Sequence, residues 1–133
     1  MKLLLLALSL LISAQALAQM SAEEQISKVE EIAKTERRNM WRESYREVSS
    51  SVSLVTLNEL NEMIRDNSNI NEPLDRTQIS ALYSCYHRAN CSLYLIDVNG
   101  EIYGARGYHR LWVMLNTMTG KYRYERHQVY AEE

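Results

Sequence analysis

Three histidines, His87, His109 and His127, and two cysteines, Cys85 and Cys91, are the side chains whose spacing bears most directly on chemistry. The histidines lie far apart and match no zinc-site spacing. His87 falls between the cysteines, yet one Cys pair with one His supplies too few ligands for structural zinc. His109 and His127 would make an acid/base pair if adjacent strands brought them together. With Arg110, Lys121 and Tyr122 nearby, such a pair would suit phosphodiester cleavage. Each histidine on its own reads first as a surface or interface residue. Asp97-Val98-Asn99-Gly100-Glu101 alternates oxygen donors as a calcium loop does, but the glycine is misplaced and Tyr108 stands where the closing bidentate Glu would be. No Gly-x-Ser-x-Gly elbow, phosphate-binding loop or His-Glu-x-x-His helix occurs. The expectation is a protein without catalytic residues, metal or cofactor.

The leader segment sets the compartment. Lys2 precedes a Leu-rich run from Leu3 to Ile12, and Ala16-Leu17-Ala18 closes it with the small residues of a signal-peptidase site. The apolar run is shorter than the roughly 20 residues of a membrane-spanning helix. We read residues 1–18 as a cleaved signal peptide and Gln19 as the mature start. No cysteine follows the cleavage point to carry a lipid, so the expected product is periplasmic or secreted, with no stable membrane anchor. Export exposes Cys85 and Cys91 to an oxidising compartment, where they are expected to pair. The loop so closed is short, and on chain-entropy grounds the bridge contributes at most about 2 to 3 kcal/mol.

Residues 19–133 read as one α+β domain, with N-terminal helices packed on a C-terminal four-stranded antiparallel β-meander. Ser21 and Glu24 form a capping box, and Ile26, Val29, Ala33, Met40, Trp41, Tyr45 and Val48 recur at helical intervals, which predicts a long helix over 22–48. Ser49-Ser50-Ser51 competes for backbone hydrogen bonds and reads as a linker or hinge. Thr56 and Glu59 cap a second helix running to about Arg65, and residues 66–73 are turn formers around the only proline. A third helix capped by Asp75 is expected from Arg76 to His87. From Ser92 the period becomes two. Asn99-Gly100 signals a hairpin turn, with strands over 101–107 and 108–116, a turn at Thr119-Gly120, and a last strand over 121–130. Tyr122, Tyr124 and Tyr130 would face one way and Arg123, Glu125 and His127 the other, giving a sheet with one wet face. The sheet as a whole is expected over 92–130.

The formal charge of −2 hides an asymmetry. Residues 48–84 set Arg65 and Arg76 against Glu59, Glu62, Asp66, Glu72 and Asp75. From Cys85 to His127, Arg88, Arg106, Arg110, Lys121, Arg123 and Arg126 outnumber Asp97, Glu101 and Glu125. Such a division steers anionic partners, although the pI of about 5.9 argues against a nucleic-acid binder. Nine tyrosines and no phenylalanine, concentrated in the same basic half, give the Tyr and Arg composition of binding hot spots. The expected function is a small exported, non-enzymatic module that binds another protein, as a periplasmic inhibitor or an immunity protein against an envelope-acting toxin or enzyme. Its candidate anchors are Arg110, Trp112, Arg123 and Tyr124 on the last two strands. The alternative is a structural or assembly factor whose stripe Ile26, Val29, Ala33 and Met40 pairs with itself or with an envelope machine, so that self-association is possible. A small hydrolase using His109 and His127 is the third reading.

Overall fold

The computed structural model describes residues 19–40, 45–102 and 105–131; the leader read over 1–18 lies outside them. Helix α1 spans Ala22–Met40. The Ser21 hydroxyl accepts from the Glu24 amide at 3.2 Å, which supplies the cap that the sequence signalled. Val29, Ile32 and Ala33 form its apolar stripe and are fully buried. The helix is shorter than the 22–48 expected, because strand β1 occupies Tyr45–Leu54. The helix runs on through residues 35–39, which carry no large apolar residue, and ends at Met40, before the chain joins the sheet. The Ser49–Ser51 run is therefore no hinge. It lies in β1, an edge strand that pairs antiparallel with the strand beginning at Cys91. Pairing with a well-formed neighbour overrides the weak strand preference of serine, since strand propensity is mostly a matter of context.

Helix α2 (Leu57–Arg65) starts at Thr56, whose hydroxyl accepts from the Glu59 amide. Leu60 is its buried anchor. Asn67 then grips Leu74 from both sides, accepting from its amide and donating to its carbonyl, each at 2.9 Å. This pincer closes the turn-rich loop and seats the buried Leu74. Helix α3 (Arg76–Cys85) opens with a reciprocal capping box between Asp75 and Gln78. At its far end the Tyr86 hydroxyl donates to the Val55 carbonyl at 2.7 Å. Burial, with Glu59 adding to it, pushes Tyr86 up to about 12, so the hydroxyl stays protonated and remains a donor.

Strands β2 (Cys91–Ile102), β3 (Ala105–Asn116) and β4 (Tyr122–Ala131) complete a four-stranded antiparallel sheet in the order β1-β2-β3-β4. Asn99-Gly100 is not the hairpin turn. Both residues pair on each side, Asn99 with Ser49 and Tyr108, Gly100 with Glu47 and Gly107, and the hairpin closes beyond Ile102, which pairs with Ala105. The two strands expected over 101–107 and 108–116 are thus largely one, and β1 takes the vacant fourth place. The β3–β4 turn does fall at Thr119-Gly120, where Gly120 adopts a left-handed φ of 73°.

The central strands β2 and β3 are covered on both faces, while β1 and β4 keep exposed residues. Tyr94, Ile96, Val98, Leu111, Val113 and Leu115 pack against α1 on one face. Leu93, Leu95 and Trp112 pack against α2 and α3 on the other, with Leu60, Leu74 and Leu82. The result is an α+β fold in which helices sandwich the sheet, and the Cys85–Cys91 disulfide ties the end of α3 to the start of β2. Of the stripe Ile26, Val29, Ala33 and Met40, Val29 and Ala33 are buried against the sheet and Ile26 is exposed.

Two stability outcomes follow from this packing. Ile32→Ala should cost about 2 to 4 kcal/mol in urea unfolding, whereas Ile26→Ala, at a position 44% exposed, should cost about 0.5 kcal/mol or less; equal effects would mean that the helix does not dock as described. Cys85→Ala with Cys91→Ala should lower stability by about 2 kcal/mol while the far-ultraviolet circular dichroism of the sheet persists.

Candidate binding groove

The four anchors that sequence reasoning chose are separated by the fold. Trp112 is 1% exposed. It stands in the centre of β3 with its indole Nε1–H donating to His127 Nε2 at 2.9 Å. Arg110 is directly opposite Asp97 in the β2–β3 ladder. Its Nε lies 3.4 Å from Asp97 Oδ1 and its guanidinium stacks over the Tyr108 ring, whose hydroxyl donates to the same carboxylate oxygen. On the α2–α3 face, Trp112 is buried and Arg110 half-buried. Alternation was the missed signal: Leu111 to Leu115 is apolar at every position, which a strand shows when both of its faces are buried. Tyr124 and Arg123 remain at the surface, Tyr124 on the α1 face and Arg123 on the α3 face.

The histidines are not brought together either. His109 shares a face with Leu111 and Val113, whereas His127 pairs with Arg110 and shares the face of Trp112. They lie on opposite sides of the sheet. His127 is buried and held at both ring nitrogens, Nε2 accepting from Trp112 and Nδ1 lying 3.1 Å from the Glu72 carbonyl. Those partners require the neutral ring with its proton on Nδ1. Burial lowers the His127 pKa, and Arg110 pushes the same way, against the Glu72 carbonyl bond that favours the charged ring. Among the described residues no group of His, Cys, Asp and Glu could hold a metal ion.

Arg123 belongs to a different assembly. Between α3 and β4 runs an open groove of about 1000 Å³ lined by Arg76, Thr77, Ser80, Ala81, Ser84 and Arg88 from one wall and by Tyr122, Arg123, Tyr124 and Glu125 from the other, with Met114 as floor. A second hollow of about 430 Å³ shares Arg88, Met114, Tyr122 and Arg123 and extends the trough past Asn90 to Lys121. The helix wall follows from sequence. Arg76, Ser80 and Ser84 stand four apart and so share one face of α3, opposite the buried Leu82 and Cys85. Small side chains at Thr77, Ser80, Ala81 and Ser84 keep that wall low, which leaves the volume open. Gln78 Nε2 donates to Glu125 Oε2 at 3.1 Å and closes the groove near the first turn of α3. At the other end the disulfide fixes the turn that carries Arg88.

The trough thus holds four cationic side chains, Arg76, Arg88, Lys121 and Arg123, against the single carboxylate of Glu125. None of the four makes an ion pair among the described residues, and all are exposed. In a chain of net negative charge this is a local concentration of positive potential, which a concave wall sharpens. On the other side of β4 the polarity reverses. Tyr122 donates to the buried carboxylate of Glu36 at 2.8 Å, and that bond, followed by burial, raises the Tyr122 pKa. Sequence reasoning found Arg123 and the general basic character of the C-terminal half; it missed Arg76 and Arg88, whose signal was the four-residue recurrence of Arg76, Ser80, Ser84 and Arg88.

Protonating His127 would set a ring N–H against the indole N–H of Trp112. With its folded pKa lowered from 6.5, the unfolded chain takes up a proton that the native state resists, so stability is full above about pH 6.5 and is lost as pH falls below it. His109, also lowered by burial, works in the same direction. The drop in urea midpoint between pH 7.5 and pH 5 should therefore be smaller in His127→Gln than in the parent; equal drops would show that His127 is not held neutral. Comparison of the chain with family models, with curated proteins and with solved structures finds no match, so what the groove does must be read from its own chemistry.

Proposed function

We propose that the chain is a small exported, non-enzymatic module that binds another protein through the α3–β4 groove, in the role of an inhibitor or immunity protein against an envelope-acting toxin or enzyme. The observation that carries this reading is the trough of cations, Arg76, Arg88, Lys121 and Arg123, unpaired among the described residues, on a chain whose net charge is negative. A surface of that kind selects an acidic partner and accelerates its capture. The opposite faces of His109 and His127 support binding over acid/base catalysis, and the leader at residues 1–18, together with the Cys85–Cys91 bridge, supports action outside the reducing cytoplasm.

The experiment is affinity capture from the envelope and medium of the source cells, using residues 19–133 with the disulfide intact, beside Arg88→Glu/Arg123→Glu. Both positions are exposed, so the variant should unfold within about 0.5 kcal/mol of the parent. A stoichiometric protein held by the parent, released as salt rises and lost to the variant, is the expected result. A partner held equally by both would remove the groove from the interaction. Mass spectrometry of the exported chain should give Gln19 as its first residue.

A further inference from the structure

We propose that the groove takes an extended acidic segment of the partner as a fifth strand on the free edge of β4, with carboxylates at every second residue and apolar side chains between them. This rests on the protein-binding reading and names the form of the ligand.

The edge is open over a defined window. The Asn116 amide donates to the Lys121 carbonyl at 2.8 Å, which makes that pair hydrogen-bonded. Alternation along an antiparallel ladder then assigns Met114–Arg123 and Trp112–Glu125 to hydrogen-bonded pairs and leaves Leu115–Tyr122, Val113–Tyr124 and Leu111–Arg126 as the non-bonded ones. The backbone N–H and C=O groups of Tyr122, Tyr124 and Arg126 therefore point away from β3, toward the edge. Farther along, the edge is already occupied: the Gln128 and Val129 carbonyls accept from the amides of Glu72 and Asn71. Natural edges are usually covered or blunted, and here only the half beside the groove is left exposed.

The side chains sort the ligand. An added strand would place alternate residues on the α3 side, next to Arg123 and facing Arg76 and Arg88, where carboxylates are favoured. Its other residues would lie along Tyr122 and Tyr124, whose rings are 6.4 Å apart. There the Glu36 carboxylate behind Tyr122 repels further negative charge, so apolar groups are preferred. Helix α3, at 1.5 Å per residue, provides about 15 Å of wall, room for roughly five residues of strand. Main-chain bonds to the edge supply affinity and the alternating pockets supply specificity, as in other cases of strand addition.

The test uses the capped peptide (Glu-Val)4, with (Lys-Val)4 as control, titrated into the 15N-labelled chain spanning residues 19–133. Binding of (Glu-Val)4 with amide shifts and slowed hydrogen exchange at Tyr122, Tyr124 and Arg126 is expected, at least tenfold weaker for Arg88→Glu/Arg123→Glu and absent for (Lys-Val)4. In antiparallel addition the residues beside Tyr122 and Tyr124 turn their amides to β4, so N-methylation of every Val should weaken binding at least tenfold and N-methylation of every Glu should be tolerated. If both N-methylated peptides bind as well as the parent, or if no (Glu-Val)4 binding occurs, strand addition is overturned, while charge-dependent capture of the whole partner would leave the binding-module reading standing. Dimerisation of the chain itself, with shifts confined to Tyr122–Arg126, would assign the edge to a second copy and likewise overturn the proposal.

Discussion

The pairing of β2 with β3 is the constraint from which the rest of the molecule follows. Its register runs without a break from Cys91 opposite Asn116 to Ile102 opposite Ala105, and both faces of the ladder are covered. A strand buried on two faces must be apolar at both parities, and Leu93 to Ile96 and Leu111 to Leu115 meet that demand. One parity receives α1 and the other receives α2 and α3. Slipping the register by one residue would send Trp112 to the α1 face and Val113 to the α3 face, so each helix would lose the shape it packs against. Trp112 carries a further restriction, because its indole N–H needs an acceptor in a dry interior. His127 supplies it, and the Glu72 carbonyl in turn fixes the His127 tautomer. One polar chain thus runs from the centre of the sheet to the loop between α2 and α3.

That chain also explains the state of the β4 edge. The loop that delivers Glu72 to His127 places the Asn71 and Glu72 amides against the Val129 and Gln128 carbonyls, sealing the far half of the edge. The same loop leads through Asp75 and Gln78 into α3, whose first turn latches to Glu125. Beyond Glu125 toward Tyr122, α3 presents serine, alanine and threonine where bulkier residues would have closed onto the strand. The groove is the gap left by a helix fixed at both ends, by the Gln78 contact at one and by the disulfide at the other, with small side chains between.

Much of this was legible in the sequence, for identifiable reasons. Caps are local, and Ser21, Thr56 and Asp75 each mark a true helix start. The cysteine pair was legible from its number together with the export that the leader leads one to expect. The α+β class was legible from the change of period at residue 92. What failed depends on contacts distant in sequence. Nothing local makes Tyr45–Leu54 a strand; its serines pair because β2 offers an unfilled edge. Asn99-Gly100 has ideal turn chemistry, yet it sits between Ser49-bearing β1 and β3, and two ladders outweigh one turn preference. The four expected anchors split on the same ground. Arg110 and Trp112 were chosen for their type, but type is silent about which side of a strand faces a helix that arrives from elsewhere in the chain.

The placement of charge follows from these packing facts. Arg110, half-buried on the α3 face, is spent on Asp97, directly across the ladder. Arg123 occupies the same parity on β4, four pairs nearer the turn, where its partner in register on the neighbouring strand is the uncharged Met114. Arg76 and Arg88 flank the low wall of α3, with only serine, threonine and alanine between them to pair with. Their desolvation is slight because the groove is open, so leaving them unpaired costs little in the free protein. A carboxylate entering between two walls would shed part of its water and meet several guanidinium groups at once, a setting in which charge-assisted hydrogen bonds are stronger than at an open surface. Among the described residues the cations of the groove thus stay unmatched at little cost, the condition that the proposed acidic partner would exploit.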